Sequence, residues 1–235
     1  MKGSVRHAKQ RRNNEGTKER FDVQMSKLTE AVAAVARVII REKQFLTDLD
    51  AKIGDNDHGI NMARGFEAVR EYIDEVKDPN DPSEVLQAVG SALIENVGGA
   101  AGPLYGAGFL AAGKALTKDD TFTIETMERA LGAAVAAIKK RGRSQKGDKT
   151  MLDVLIPVYE CFTPRYAKDL TLYECLTEAN YAATDGVEYT KTIAARKGRA
   201  SYLGERSIGY QDPGATSAML MYRAMYQFLN QSTIR

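Results

Sequence analysis

LDAKIGDNDHGINMARGFEAVREYIDEV, Leu49 to Val76, changes character halfway along. Its second half places Met62, Phe66, Val69, Ile73 and Val76 at steps of four, three, four and three, the period of a helix with one apolar face. Its first half breaks that period and sets Asp50, Asp55, Asp57 and His58 within nine residues. Carboxylates at that density repel one another unless a positive charge lies between them. The stretch therefore predicts an acidic turn between two helices, facing a cation or a cationic ligand.

Helical spacing extends outward from it in both directions. Met25, Leu28, Val32, Val35 and Ile39 form one stripe, and Leu86, Val89, Leu93 and Val97 another. Ile124, Met127, Leu131, Val135 and Ile138 follow, then Leu172, Leu176, Ala179 and Ala183, and last Ala215, Ala218, Tyr222, Met225 and Leu229. Residues 148–163 are apolar nearly all round and predict a central helix bent at Pro157; residues 103–116 are rich in small residues, as a closely packed helix would be. No stretch alternates with period two, so the chain reads as all-α, with about eight helices joined by short Gly-, Pro- and Asp-rich links. Short links make neighbours antiparallel, giving an up-down bundle or a closed helical barrel. The polar links 50–61, 96–103, 141–151 and 198–214 then fall at one end and compose a single site.

The totals fit one domain. Of 235 residues, 43% are hydrophobic and 27% charged, an ordinary soluble balance. No apolar run reaches membrane-spanning length and the N-terminus lacks the apolar core of a secretory signal, so a cytoplasmic location is expected. Residues 1–20 carry seven Lys/Arg against two Glu, leaving a body of 26 basic and 29 acidic residues. The arm reads most simply as a disordered tail, and residues 21–235 as one helical domain with no nucleic-acid or membrane partner. Cys161 and Cys175 fit no metal spacing and read as buried free thiols.

Asp50, Asp55 and Asp57 offer hard oxygen ligands beside a helix N-terminus that favours anions. An EF-hand is excluded: counting Asp55 as position one, position six is Ile60 rather than Gly and position twelve is Phe66 rather than Glu. One histidine without cysteine is a poor zinc set. Mg²⁺ suits carboxylates shared with a phosphate-bearing ligand, and three carboxylates could serve two ions. The competing reading is helix capping by Asp55 or Asp57. His58 reads equally as a polar first-turn residue or as part of the site.

NVGGAAGPLYG, Asn96 to Gly106, is either a phosphate cradle of unhindered amides or a tight helix crossing. Gly108 to Ala115 imitates a P-loop but ends in Ala where Ser or Thr would hold Mg²⁺, and no strand precedes it. RGRSQKGDKTMLD, Arg141 to Asp153, offers nucleotide contacts through Thr150 and backbone amides, with Asp148 as a candidate cap, or is a solvated basic loop. The 198–219 segment is long for a connector, and its Asp212-Pro213-Gly214 also has helix-start chemistry.

D-x-x-x-x-D-x-D-H-G-x-N, G-G-x-x-G-P-L-Y-G, G-D-K-T-M-x-D, G-R-A-S-Y-L-G-E-R-S and D-P-G-A occur in that order. Together they resemble the nucleotide-binding L subunit of dihydroxyacetone kinase and the C-terminal domain of single-chain ATP-dependent kinases, from about Leu28 to Leu229. The resemblance implies an eight-helix antiparallel barrel with ADP or ATP at one end, its phosphates joined to two Mg²⁺ ions held by Asp50, Asp55 and Asp57. It further implies nucleotide contacts from His58, Gly59, Ile60, Asn61, Gly99, Ala100, Gly142, Thr150, Met151, Arg199, Asp212, Pro213 and Gly214. The family usually has a small residue at Asn56, often Ser at Ala101 and His at Tyr210. The implied reaction is phosphoryl transfer to a short-chain ketose on a separate K subunit. ADP would serve as a lasting cofactor recharged by a phosphohistidine protein, or ATP as an exchanging substrate. An ADP-loaded regulatory module docking to a transcription factor is the alternative of a different class. Homodimerisation is left open.

Overall fold

The apolar stripes fold as helices. The computed structural model describes residues 27–233, so Met25 and the basic arm over 1–20 lie outside the described residues. In chain order the helices are α1 (Leu28–Arg41), α2 (Lys43–Ile53), α3 (His58–Asp74), α4 (Pro82–Asn96), α5 (Ala101–Lys114) and α6 (Ile124–Gly142). Then come α7 (Leu152–Glu160), a single-turn α8 (Pro164–Ala167), α9 (Leu172–Thr192), a 3₁₀ segment (Arg199–Ser207) and α10 (Pro213–Thr233).

Local chemistry explains the boundaries. Asp81 accepts from the amides of Ser83 and Glu84 while Pro82 opens α4. Thr123 and Thr126 form a reciprocal capping pair on α6, as Thr171 and Glu174 do on α9. Helix α6 stops at Arg143, whose backbone is left-handed, with Lys139, Lys140 and Arg141 set against the negative end of its dipole.

Eight of these helices close into a ring. Helix α1 packs on α3, α3 on α4, α4 on α5, α5 on α6, α6 on α7, α7 on α9, α9 on α10, and α10 back on α1. Helix α2 lies outside the ring against α3, also touching α10 and the 3₁₀ segment. The stripes meet inside, where Ile39, Phe66, Val69, Val85, Leu93, Leu152, Leu176 and Leu229 are buried in one continuous core. A residual apolar cavity of about 200 Å³ remains, lined among others by Val32, Phe66, Val89 and Tyr105. Among the described residues no helix is long and apolar enough to cross a membrane. Cys161 and Cys175 are buried free thiols whose pKa burial pushes up to about 11.

Two expectations change. The helix anticipated over 148–163 runs only from Leu152 to Glu160, with Pro157 inside it. Its expected first turn is diverted because the Asp153 carboxylate reaches back to the amides of Gly147 (2.6 Å) and Thr150 (2.8 Å). Asp148 does not cap this helix; its carboxylate accepts from the Gln145 amide at 2.9 Å.

Candidate functional site

Because ring neighbours alternate in direction, the starts of α3, α5, α7 and α10 meet the ends of α4, α6 and α9 at one end of the ring. A cavity of about 970 Å³ opens there, and all four polar links line it: Asp50 to Asn61, Gly98 to Leu104, Arg141 to Met151, and Arg196 to Gly214.

The acidic turn is built around Asp50. Its Oδ2 accepts from the amides of Asp57 (2.9 Å) and His58 (3.2 Å), so a side chain from α2 caps α3. Asp57 occupies the N-cap position but makes no side-chain capping bond. Gly54 makes room for this, since a Cβ there would stand 1.8 Å from Asp50 Oδ1. Asn56 takes the left-handed backbone (φ 64°) that asparagine tolerates better than most residues. Capping therefore accounts for Asp50 alone. Asp55 and Asp57 remain, and carboxylate oxygens of all three aspartates lie within 4.8 Å of one another. Burial raises the Asp57 pKa and the charges of Asp55 and Asp50 add to the rise, while a hydrogen bond with Asn61 and the charge of Arg199 oppose it. The nearest organic cation is Arg199, whose Nε is 2.9 Å from Asp55 Oδ2. Three converging oxygen donors, of which only Asp50 caps a helix, fit a hard divalent cation.

The glycine loop divides between its two readings. Gly102 and Gly106 serve the helix crossing: a Cβ would meet Val97 O at 2.3 Å and Gly90 O at 2.7 Å respectively. Gly98 and Gly99 line the cavity, and Gly99 has a left-handed backbone with open space before it. Helix α5 starts without a side-chain cap, so its first amides face the cavity end without a carboxylate or hydroxyl acceptor.

His58 points its Nε2 at Ser217 Oγ (3.0 Å), which in turn lies 2.8 Å from the Tyr105 hydroxyl. Tyr105 can donate to Gly214 O at 2.7 Å. Desolvation pushes the His58 pKa down to about 4, so the ring is neutral near pH 7. Asp212 accepts from the Ala215 amide at 2.7 Å and starts α10, while its own amide donates to Thr190 Oγ1. Burial pushes its carboxyl up to about 7. Asp212-Pro213-Gly214 thus serves as helix start and cavity wall together.

Of the residues singled out from sequence, Asp50, Asp55, Asp57, His58, Asn61, Gly99, Ala100, Gly142, Thr150, Met151, Arg199, Asp212, Pro213 and Gly214 line this cavity. Two do not: Gly59 is buried against α2, where a Cβ would meet Lys43 O, and Ile60 is exposed on α3. The sequence reading passed over Tyr105, Lys149, Asp153 and Ser217. Lys149 and Asp153 lie within the G-D-K-T-M-x-D motif and Tyr105 within G-G-x-x-G-P-L-Y-G, which are usable signals; Ser217 sits in α10, where nothing local marks it.

Residues 52–227 match the DAK2 domain. Asp50 lies just before that match. The chain is 42% identical over 184 residues to the PEP-dependent dihydroxyacetone kinase, ADP-binding subunit DhaL of Escherichia coli (strain K12), covering 78% of this chain and 87% of that one. It is 45% identical over 185 residues to the PEP-dependent dihydroxyacetone kinase 1, ADP-binding subunit DhaL of Listeria innocua, with 79% and 87% covered. Its fold matches the crystal structure of the dihydroxyacetone kinase of C. freundii with a TM-score of 0.66 and 25% identity, over 85% of this chain but only 34% of that longer chain.

Proposed function

The chain belongs to the DAK2 domain family, and from that membership we propose that it is the ADP-binding subunit of a dihydroxyacetone kinase, passing a phosphoryl group to a short-chain ketose held by a separate subunit. One observation carries the reading. Three carboxylates that call for a cation converge on the same cavity as the uncapped start of α5, which favours an anion. A metal-bound nucleotide polyphosphate satisfies both demands at once.

In this reading Asp50, Asp55 and Asp57 hold Mg²⁺, in number suited to two ions, while the amides of Gly99 and Ala100 and the Arg199 guanidinium hold phosphate oxygens. Thr150, Met151 and Asp212 to Gly214 enclose the remainder of the nucleotide. Mg²⁺, when bound, supplies neutralisation of the phosphate charge during transfer. The chain's own residues contribute position and electrostatics. Among the described residues His58 is the only histidine lining the cavity, and its neutral ring is engaged with Ser217 rather than free to accept a ketose proton. Activation of the acceptor hydroxyl therefore falls to the ketose-binding partner, and the chain alone is inactive. The dependence on PEP in the names of the bacterial relatives supports a phosphohistidine donor and ADP as a lasting cofactor.

Reconstitution tests this. Ketose phosphate should form only when the chain, a ketose-binding subunit and a PEP-driven phosphohistidine protein are all present. ADP should stay with the chain through gel filtration. Steady turnover by the purified chain with ATP and ketose, or none with every partner supplied, would contradict the proposal.

A further inference from the structure

Lys149 is assigned no part in holding the nucleotide, yet it is among the most deeply buried side chains, at 1% exposure. An ammonium taken out of water is costly unless its protons find acceptors. Here Nζ donates to the carbonyl oxygens of Thr190 (2.7 Å), Ser207 (2.6 Å) and Tyr210 (2.6 Å), and Ile193 O lies at 3.2 Å. The lysine backbone itself is left-handed (φ 60°), a conformation that needs support from its surroundings.

Those four carbonyls come from two pieces of chain that adjoin the cavity-lining residues 196–202 and 212–214. Thr190 and Ile193 belong to the end of α9, where carbonyls lack partners within the helix. Ser207 and Tyr210 belong to the segment between α9 and α10, which carries Arg199 toward Asp55 and leads into Asp212. Lys149 stands in the opposite wall, next to Thr150 and Met151, and the neighbouring Asp148 carbonyl accepts from the Arg196 amide at 3.1 Å. Asp212 and Asp153 are the carboxylates whose charge favours the ammonium there, against the burial that lowers its pKa.

We propose that Lys149 is a positioning residue for nucleotide binding: its ammonium does the work of a structural cation. It draws the end of α9 and residues 194–212 onto the α6–α7 loop, so that Arg199 and Asp212 face Thr150 and Met151 across one cavity. The inference rests on the ADP reading above, through the ligand whose affinity it sets.

The test is Lys149→Met, which keeps the length and removes the donors, with Lys149→Gln, which keeps two N–H donors, as the milder variant. ADP affinity in the presence of Mg²⁺, measured by calorimetry well below the melting temperature, should fall about tenfold or more in the first and by less in the second. Amide exchange should accelerate at Ala195, Gly209 and Asp212, which bond within the clamped segment and to α9, but not in α3 or α5. A purely structural lysine would lower the melting temperature and leave affinity unchanged. Wild-type affinity in either folded variant overturns the proposal. If neither folds, wild-type exchange without ligand decides: slow exchange at those three amides supports the clamp, and exchange at the rate of an unstructured chain overturns it. Failure of the wild type to bind ADP would instead remove the functional reading, while the exchange data still bear on the clamp.

Discussion

Arg199 Nε stands 2.9 Å from Asp55 Oδ2, with the two side chains 68% and 42% exposed. A pair so open to water contributes at most about 1 kcal/mol to folding, so its consequence lies in the site's electrostatics. Arg199→Gln should shift the melting temperature little and weaken binding of ADP with Mg²⁺ by about tenfold, the value of one charge-assisted hydrogen bond. Thermal denaturation and calorimetry on the same variant check both halves.

Two groups at this end titrate in opposition. His58 is held near 4 against an ordinary 6.5, so the unfolded chain binds more protons between those values and stability rises with pH there. Asp212 is raised to about 7 from 3.8, so the folded chain binds more protons across that window and stability falls as pH rises. In the metal-free protein the two slopes oppose each other between about pH 4 and 6.5. Relative to wild type, Asp212→Asn should gain a rising slope of about 1.4 kcal/mol per pH unit and His58→Gln a falling one. Urea denaturation midpoints at pH 4.5 and 6.5 read the difference; identical slopes in all three proteins would refute the assignment.

Gly54 is the hinge of the acidic turn. In Gly54→Ala the new methyl would overlap Asp50 Oδ1, displacing the carboxylate that caps α3. Loss of that cap should cost about 1 kcal/mol, and affinity for ADP with Mg²⁺ should fall by more than the stability loss alone explains. A variant with wild-type affinity would mean that Asp50 has no part in holding the ligand.

Phe66 fills the ring interior at 1% exposure. Phe66→Ala should cost about 3–5 kcal/mol through the lost transfer energy and the cavity left behind. Chemical denaturation measures it, with ADP affinity at low temperature unchanged because Phe66 does not line the site.

The helices were legible because each buries one stripe, and the placement of four links at one end followed from alternation alone. The break at Glu42 between α1 and α2 was hidden, since apolar spacing runs on through Leu46 and Ile53. The shortened α7 was hidden for another reason: Asp153 reads as one more helical residue, whereas its carboxylate holds the amides of a turn. Within the site, the acidic turn announced itself by charge density, but the division of labour among its aspartates did not. Asp50 caps α3 from seven residues upstream of Asp57, a relation that requires the chain reversal made possible at Gly54. Lys149 looked like an ordinary loop cation, and only the fold brings four carbonyls to it.

Asp55 and Asp57, neither of which caps a helix, are the carboxylates left to hold the metal of a metal-bound nucleotide. Calorimetry of ADP with and without Mg²⁺, on the wild type and on an Asp55→Asn/Asp57→Asn variant that retains the Asp50 cap, tests it most directly. Mg²⁺-dependent binding is expected in the wild type, and in the variant a loss of about 100-fold or more with no remaining Mg²⁺ dependence. A folded variant that binds ADP as tightly as the wild type, with the same need for Mg²⁺, would contradict it.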